Sequence, residues 1–408
     1  LILIYDEPFR LILLSISEMK IMSAEQRALT ERIAAIDQQA MAEGRIVGSV
    51  VLVARQGEIC YAGAAGYADR EARRPMRRET QFRLSSVSKP YTTLAALRLI
   101  EQGKLSLDDA VSEWLPWFTP ALADGRRPTI KIRHLLSHTA GLDYRLNQPP
   151  AGVYHQLGIQ DGVELSTLTL EQNLRLLAQA PLLSAPGERF NYSLAIDVLG
   201  AVLERVTGMP LPQLFVEWVA RPLGLGNTAF YAADAANLAT PYYNTPQGPQ
   251  RMHEGLRLAL PEEMAGGEVL FSPARALNAG AYPSGGAGMG GDADDVLRLV
   301  AAMRSGGQDM LRPDPVALLH SPHVGAQAQT QGPGWGFGFG GALLVDADAA
   351  QTPQQAGTLT WGGVYGHSWF FDPQAQLSVV ILTNTAFEGM CGRYPQQIRD
   401  AVYAAEMG

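Results

Sequence analysis

Ser86 and Lys89, within Phe82-Arg-Leu-Ser-Ser-Val-Ser-Lys-Pro90, are three residues apart just ahead of the apolar run Leu94-Ala-Ala-Leu-Arg-Leu-Ile100. Side chains at i and i+3 are neighbours on a helix surface, so the amine can reach the hydroxyl if a helix starts here. Pro90 suits such a start, because its missing N–H is tolerated in a first turn and not in a helix interior. A serine hydroxyl is a weak nucleophile until a base takes its proton, and a desolvated lysine can be that base. The local pattern therefore points to an activated serine, against the plainer reading of a serine that only caps a helix.

A second group can do the same work. In Phe190-Asn-Tyr-Ser-Leu194, Tyr192 precedes a helical pattern from Leu194 to Val206 that Ser193 could cap and Gly208 would close. A phenolate is favoured at a helix N-terminus, and a nearby ammonium such as Lys89 favours it further. Tyr192 is thus a candidate general base for Ser86, set against the alternative of a core aromatic. Trp361-Gly-Gly-Val364 ends a predicted strand, where two glycines let a substrate come close to the backbone. An N–H there could pair with that of Ser86 as an oxyanion hole; a tight hairpin turn is the competing reading. Two histidine pairs, His134 with His138 and His320 with His323, lack the neighbouring glutamate of a zinc hydrolase and are read as structural. No G-x-S-x-G elbow is present, so a serine hydrolase here would use another design.

The elements that must hold these residues come from both ends of the chain. Ser23 and Gln26 form a capping box before a helix with Leu29, Ile33, Ile36 and Ala40 on one face. Ser49–Ala54, a Gln56-Gly57 turn and Ile59–Tyr61 read as a hairpin. Past Gly103, short helices at Ile132–Ser137, Leu170–Ala178 and Leu194–Val206 alternate with Pro- and Gly-rich loops. A glycine-rich loop, Ser284–Gly291, leads to an Asp292-capped helix; lacking the Lys-Ser/Thr ending, it is no phosphate cradle. Strand signals follow at Leu343–Val345, Gly357–Trp361, Ser368–Phe371 and Leu377–Leu382, then a terminal helix at Ile398–Met407. The expected layout is an α/β (α+β) unit from residues 23–105 and 285–408 with a mostly helical domain, 106–284, inserted between them and the active site in the cleft.

Composition narrows the class. The 408 residues carry 32 basic and 40 acidic side chains, a net charge of -8, which argues against nucleic acid as a partner. Cys60 and Cys391 have no second thiol or histidine at metal spacing and read as free thiols, so no oxidising compartment is needed. Residues 1–22 read as a disordered or non-native leader, with Met22 or Met19 as the expected start. Their apolar run is too short for a signal peptide, and no later segment reaches ~18 uninterrupted apolar residues, so the expected location is cytoplasmic, with no membrane partner.

In order, Ser86-Val-Ser-Lys89, Tyr192-Ser193 and Trp361-Gly-Gly363 resemble the three motifs of the class C β-lactamase and penicillin-binding-protein superfamily, and within it the family VIII carboxylesterases. Ile132-Arg-His-Leu-Leu-Ser-His-Thr-Ala-Gly-Leu142, Arg221-Pro-Leu-Gly-Leu225, Ser284-Gly-Gly-Ala-Gly288 and Tyr365-Gly-His-Ser-Trp369 look like landmarks of the same group. The resemblance implies a β-lactamase/transpeptidase-like fold, an antiparallel sheet flanked by helices, with no cofactor and no metal. It makes Ser86 the acylated nucleophile, Lys89 and Tyr192 its base and acid, and the N–H groups of Ser86 and Val364 the oxyanion hole. His138 would be structural. Trp361 stands where the lactamases carry a lysine and Leu194 where they carry an asparagine, which turns the expectation from β-lactams towards neutral small-molecule esters. Trp361, Gly362, Gly363, Leu194 and, at the pocket rim, Tyr144 are the expected substrate contacts. The implied activity is a serine carboxylesterase for short-chain esters, with weak β-lactam or cephalosporin ester-side-chain activity compatible. A β-lactamase or D-alanyl-D-alanine carboxypeptidase of the same fold, or a non-catalytic binding protein on this scaffold, are the alternatives.

Overall fold

The computed structural model describes residues 23–232, 234–261, 266–307 and 310–404. The leader assigned to residues 1–22 and the end of the predicted terminal helix lie outside them. Helix α1 (Ala24–Ala42) starts at the anticipated capping box: Ser23 Oγ accepts from Gln26 N at 3.1 Å and Gln26 Oε1 from Ser23 N at 2.9 Å. The hairpin that follows, β1 (Gly48–Arg55) and β2 (Glu58–Asp69), leads to the short β3 (Arg74–Pro75).

Five more strands come from the far end of the chain: β4 (Trp335–Phe337), β5 (Ala342–Leu344), β6 (Leu359–Gly363), β7 (His367–Asp372) and β8 (Leu377–Thr383). The eight form one antiparallel sheet in the order β4-β5-β6-β7-β8-β1-β2-β3. Its two halves meet at β8 and β1, from Ser49 opposite Thr383 to Arg55 opposite Leu377. Strand β4 was not among the predicted strands. Its signal is the aromatic–glycine alternation of Trp335-Gly-Phe-Gly-Phe339, which has the period of two that a strand requires.

Both sheet faces are covered. Val51, Val53, Val379 and Ile381 pack under α1 and the last helix, α6 (Arg393–Ala404), while Val50, Leu52, Val380 and Leu382 face the main core. Alternate residues thus serve different layers, which is why β1 reads as an unbroken apolar run.

The middle of the chain carries α3 (Leu170–Leu177) and α4 (Ala195–Thr207), then two hairpins, Tyr242–Thr245 with Gly248–Arg251 and Leu256–Ala259 with Glu268–Phe271. α2 (Ser88–Glu101) runs between α4 and α5 (Ala293–Ser305) and is buried on every side from Ser88 to Leu97. A helix enclosed all round can hold a charged side chain out of water, and α2 does so with Lys89, 2% exposed.

Candidate active site

Ser86 sits on a single 3₁₀ turn, Ser85–Val87, that continues directly into α2. The shared face expected of a helix start therefore exists, although Ser86 precedes the α-helix proper. Ser85 enters that turn at φ +44°, a left-handed conformation that a non-glycine residue adopts at a cost. The turn is tied down from outside: Leu84 N donates to Met289 O at 2.9 Å, and Phe82–Arg83 pair with Gly290–Gly291.

The three candidate chemical groups converge. Lys89 Nζ donates to Ser86 Oγ at 3.0 Å and to the Gly286 carbonyl at 2.8 Å. The Tyr192 hydroxyl donates to Ser86 Oγ at 2.7 Å, and Lys89 Nζ stands 4.6 Å from the Tyr192 ring centre. Trp361 Nε1 donates to Tyr192 Oη at 3.3 Å, with the two rings 5.0 Å apart. Lys89 on α2 and Tyr192 at the entry to α4 thus meet at Ser86 Oγ, and Trp361 on β6 joins them through Tyr192 Oη, with 275 positions of sequence between Ser86 and Trp361.

Gly362 and Gly363 have separate steric reasons. A Cβ on Gly363 would lie 2.5 Å from both Leu84 O and Ser85 Oγ, so glycine lets the end of β6 touch the nucleophile turn. A Cβ on Gly362 would lie 2.6 Å from His367 O and 2.8 Å from Met390 Cγ, away from Ser86. Beyond Thr360 the outer edge of β6 leaves its pairing with β5, and the strand's end carries Trp361 to Tyr192 and Gly363 to the nucleophile turn. His367 braces the contact: its Nε2 meets Arg83 O at 2.8 Å, linking β7 to the strand ahead of Ser86. Burial pushes the His367 imidazole down to about 4, so it is neutral at pH 7.

Other expected positions fall differently. Leu194 is fully buried, 0% exposed, as the first-turn cap of α4, and has no surface to offer a substrate. Ser193 does not cap that helix; it faces His138, whose Nδ1 accepts from Ser193 N at 3.2 Å. Tyr144 is 2% exposed and lies beneath the site instead of at its rim, its ring 5.2 Å from that of Tyr192 and 5.3 Å from Lys89 Nζ. Both misplacements arise because sequence order gives no depth: the helix entry turns Leu194 inwards, and the loop after Gly141 passes under Lys89.

The histidines have structural partners. The helix Ile132–Leu136 ends before His138, which lies at φ +52°, so His134 and His138 do not share a helix face. His138 is held well below the usual imidazole range by burial and by Lys89, and its ring lies 4.8 Å from that of Tyr192, tilted at 46°. His320 and His323 meet the Met303 and Leu318 carbonyls. Among the described residues no group of three or more His, Cys, Asp or Glu side chains converges as a metal site, and no helix is long and apolar enough to cross a membrane.

Two features escaped the sequence reading. The Gly286 carbonyl that receives Lys89 lies in the glycine-rich loop, whose packing between α2 and α4 leaves little room: a Cβ on neighbouring Gly285 would be 3.0 Å from Thr92 Oγ1 and 3.2 Å from Ile196 O. Phe337 and Phe190 form the aromatic wall behind Trp361, with ring separations of 5.4 Å for Phe337–Trp361 and 4.9 Å for Phe190–Phe337.

Known proteins resemble the chain over most of its length. The beta-lactamase family model matches residues 33–402. Esterase EstB of Burkholderia gladioli is 51% identical over 383 residues, spanning 94% of this chain and 97% of that protein. The solved structure of EstCE1, described as a hydrolase with promiscuous acyltransferase activity, matches at a TM-score of 0.92 and 68% identity, covering 93% of this chain and 100% of the other. Unliganded simvastatin synthase from Aspergillus terreus, at 21% identity and a TM-score of 0.71 over 95% of this chain and 100% of the other, shares the fold. Three motifs meeting at Ser86 and a family match over nearly the whole length lead to one conclusion: the chain belongs to the beta-lactamase family.

Proposed function

We propose that this chain is a serine carboxylesterase that hydrolyses small, uncharged carboxylic esters through an acyl-enzyme on Ser86. The observation that carries the reading is the pair of contacts on Ser86 Oγ, 2.7 Å from Tyr192 Oη and 3.0 Å from Lys89 Nζ. EstB and EstCE1, an esterase and a hydrolase by description, support the same class.

In acylation, Ser86 Oγ attacks the ester carbonyl carbon as its proton passes to the Lys89–Tyr192 pair, which acts as general base with Tyr192 relaying the proton. The tetrahedral oxyanion is received by the N–H groups of Ser86 and Val364. The carbonyl C–O bond to the alcohol then breaks, and the leaving alkoxide takes the proton from Tyr192. Water attacks the acyl-enzyme, gives its proton to Tyr192, and Tyr192 returns it to Ser86 Oγ as the acid departs. An alcohol in place of that water would make the same intermediate an acyl donor, the second activity in the description of EstCE1. The substrate enters the cleft between the part built from both chain ends, 23–105 and 285–408, and the inserted part, 106–284.

Substrate charge is decided at Trp361. An indole N–H occupies the place where an ammonium would attract a carboxylate, so the site lacks a charge-assisted contact for anionic β-lactams. With p-nitrophenyl butyrate and nitrocefin assayed side by side, ester turnover should dominate, and Ser86→Ala should abolish it while the circular dichroism spectrum stays unchanged. Ester turnover by the folded variant would refute the assignment, and dominant nitrocefin hydrolysis would transfer the chain to the lactamases.

A further inference from the structure

Asp197 lies on the first turn of α4, five residues after Tyr192, and is 0% exposed. A carboxylate is costly to bury, and this one is unusually bare: among the described residues neither oxygen closes a hydrogen bond of good geometry. Nor does α4 need it as a cap, since its N-cap is Leu194. Its surroundings face the catalytic groups. A Cβ built on Gly286 would stand 2.7 Å from Asp197 Oδ2 and 3.4 Å from Tyr144 Oη, and the Gly286 carbonyl is the acceptor of Lys89 Nζ at 2.8 Å. Glycine is therefore the residue that lets the loop pass between a carboxylate and an ammonium.

We propose that Asp197 is the buried counter-ion of Lys89 and a positioning residue for the Ser86 chemistry, acting across the Gly286 backbone to hold the ammonium where Ser86 and Tyr192 need it. Four of its neighbours favour its charged form. Lys89 on α2 and Arg275 on the turn Pro273–Leu277 act through charge, and the Ser284 hydroxyl and the Gly286 N–H act as dipoles. Tyr144 and Tyr282 face it as neutral phenols, each held well above the usual range by burial, and Asp161 and Glu164 stand behind them. Arg275 is already engaged by the Gly162 and Tyr282 carbonyls at 2.6 and 2.7 Å. Lys89 is the cation whose position has chemical consequences. Burial raises the Asp197 carboxyl to about 6, so its charge is complete only above that pH.

The inference rests on the esterase reading, and its consequences can be separated from it. Asp197→Asn keeps the shape and removes the charge. With p-nitrophenyl butyrate at pH 7.5, kcat should fall at least ten-fold with KM within about two-fold, because the group acts on the machinery and does not touch substrate. The kcat/KM profile of the native enzyme should show an acid limb near pH 6 that is missing from D197N. Asp197→Glu should restore part of the rate and a shifted limb. Native kcat with an unchanged acid limb in D197N would overturn the proposal; if D197N does not fold, an unshifted limb in D197E would do the same. Ser86→Ala serves as the control: an active S86A defeats the esterase site itself, whereas an inactive S86A beside an unimpaired D197N defeats only the role of Asp197.

Discussion

Trp361 Nε1 reaches the same phenolic oxygen that contacts Ser86, so the tryptophan is placed to steady Tyr192 as well as to shape the pocket. Replacing it by phenylalanine keeps the ring contacts with Tyr192 and Phe337 and removes the N–H. A neutral hydrogen bond contributes about 1 kcal/mol, so W361F should lower kcat for p-nitrophenyl butyrate by roughly five-fold. Trp361→Ala should lose considerably more, because the aromatic wall goes with it. Equal kcat values in W361F and the native enzyme would reduce the residue to packing. Trp361→Lys should raise the ratio of nitrocefin to ester turnover, since it restores a cation beside Tyr192.

At the scale of elements, catalysis depends on how closely β6 approaches the turn Ser85–Val87. The close approach exists because Gly363 lacks a side chain and because His367 ties β7 to Arg83 O. Gly363→Ala would drive a methyl group into Leu84 O and Ser85 Oγ, each 2.5 Å away, and part of what it meets is backbone that cannot rotate aside. The strand must then move from the nucleophile, taking the Val364 N–H with it. On the oxyanion hole proposed above, loss of one donor costs on the order of 10²–10³ in kcat, and G363A should show a fall of that size with a much smaller change in melting temperature. Pre-steady-state kinetics should locate the defect in acylation, with no burst of p-nitrophenol. The 3₁₀ turn itself, with Ser85 at φ +44°, is kept by the contacts around it, as the sequence around Ser86 favours an ordinary helix start.

The whole molecule is closed by its two ends. α1 and α6 lie together on one sheet face, and Asp37 sits between them, accepting from Ser49 Oγ on β1 at 3.1 Å and from the Tyr394 hydroxyl on α6. Burial raises the Asp37 carboxyl from 3.8 to about 6, against the opposing effect of those two hydroxyls. A folded-state value above the unfolded one means that the native chain binds the proton more tightly. The resulting stability is present below pH 3.8 and is lost as pH rises through 6. Asp37→Asn removes that dependence. Relative to the native chain it should therefore gain stability between pH 4 and pH 7, by up to about 3 kcal/mol for a shift of this size. Urea unfolding at both pH values checks this, and a constant difference would show that Asp37 titrates normally. Of this closure the sequence carried the parts: the capping box at Ser23, the apolar face of α1, and four of the five later strands, all set by local periodicity and cap chemistry. It also carried Ser86, Lys89 and Tyr192, since an i, i+3 pair and a tyrosine before a helix are local patterns. Depth was not local. That Leu194 and Tyr144 lie under the surface, that Gly286 receives Lys89, and that Asp197 is enclosed beside it follow from α2 and α4 packing against the glycine-rich loop. The sequence by itself determined which groups could do chemistry. Only the tertiary structure decided which of them are dry, which touch, and which charge faces which, because desolvation and contact are properties of packed elements.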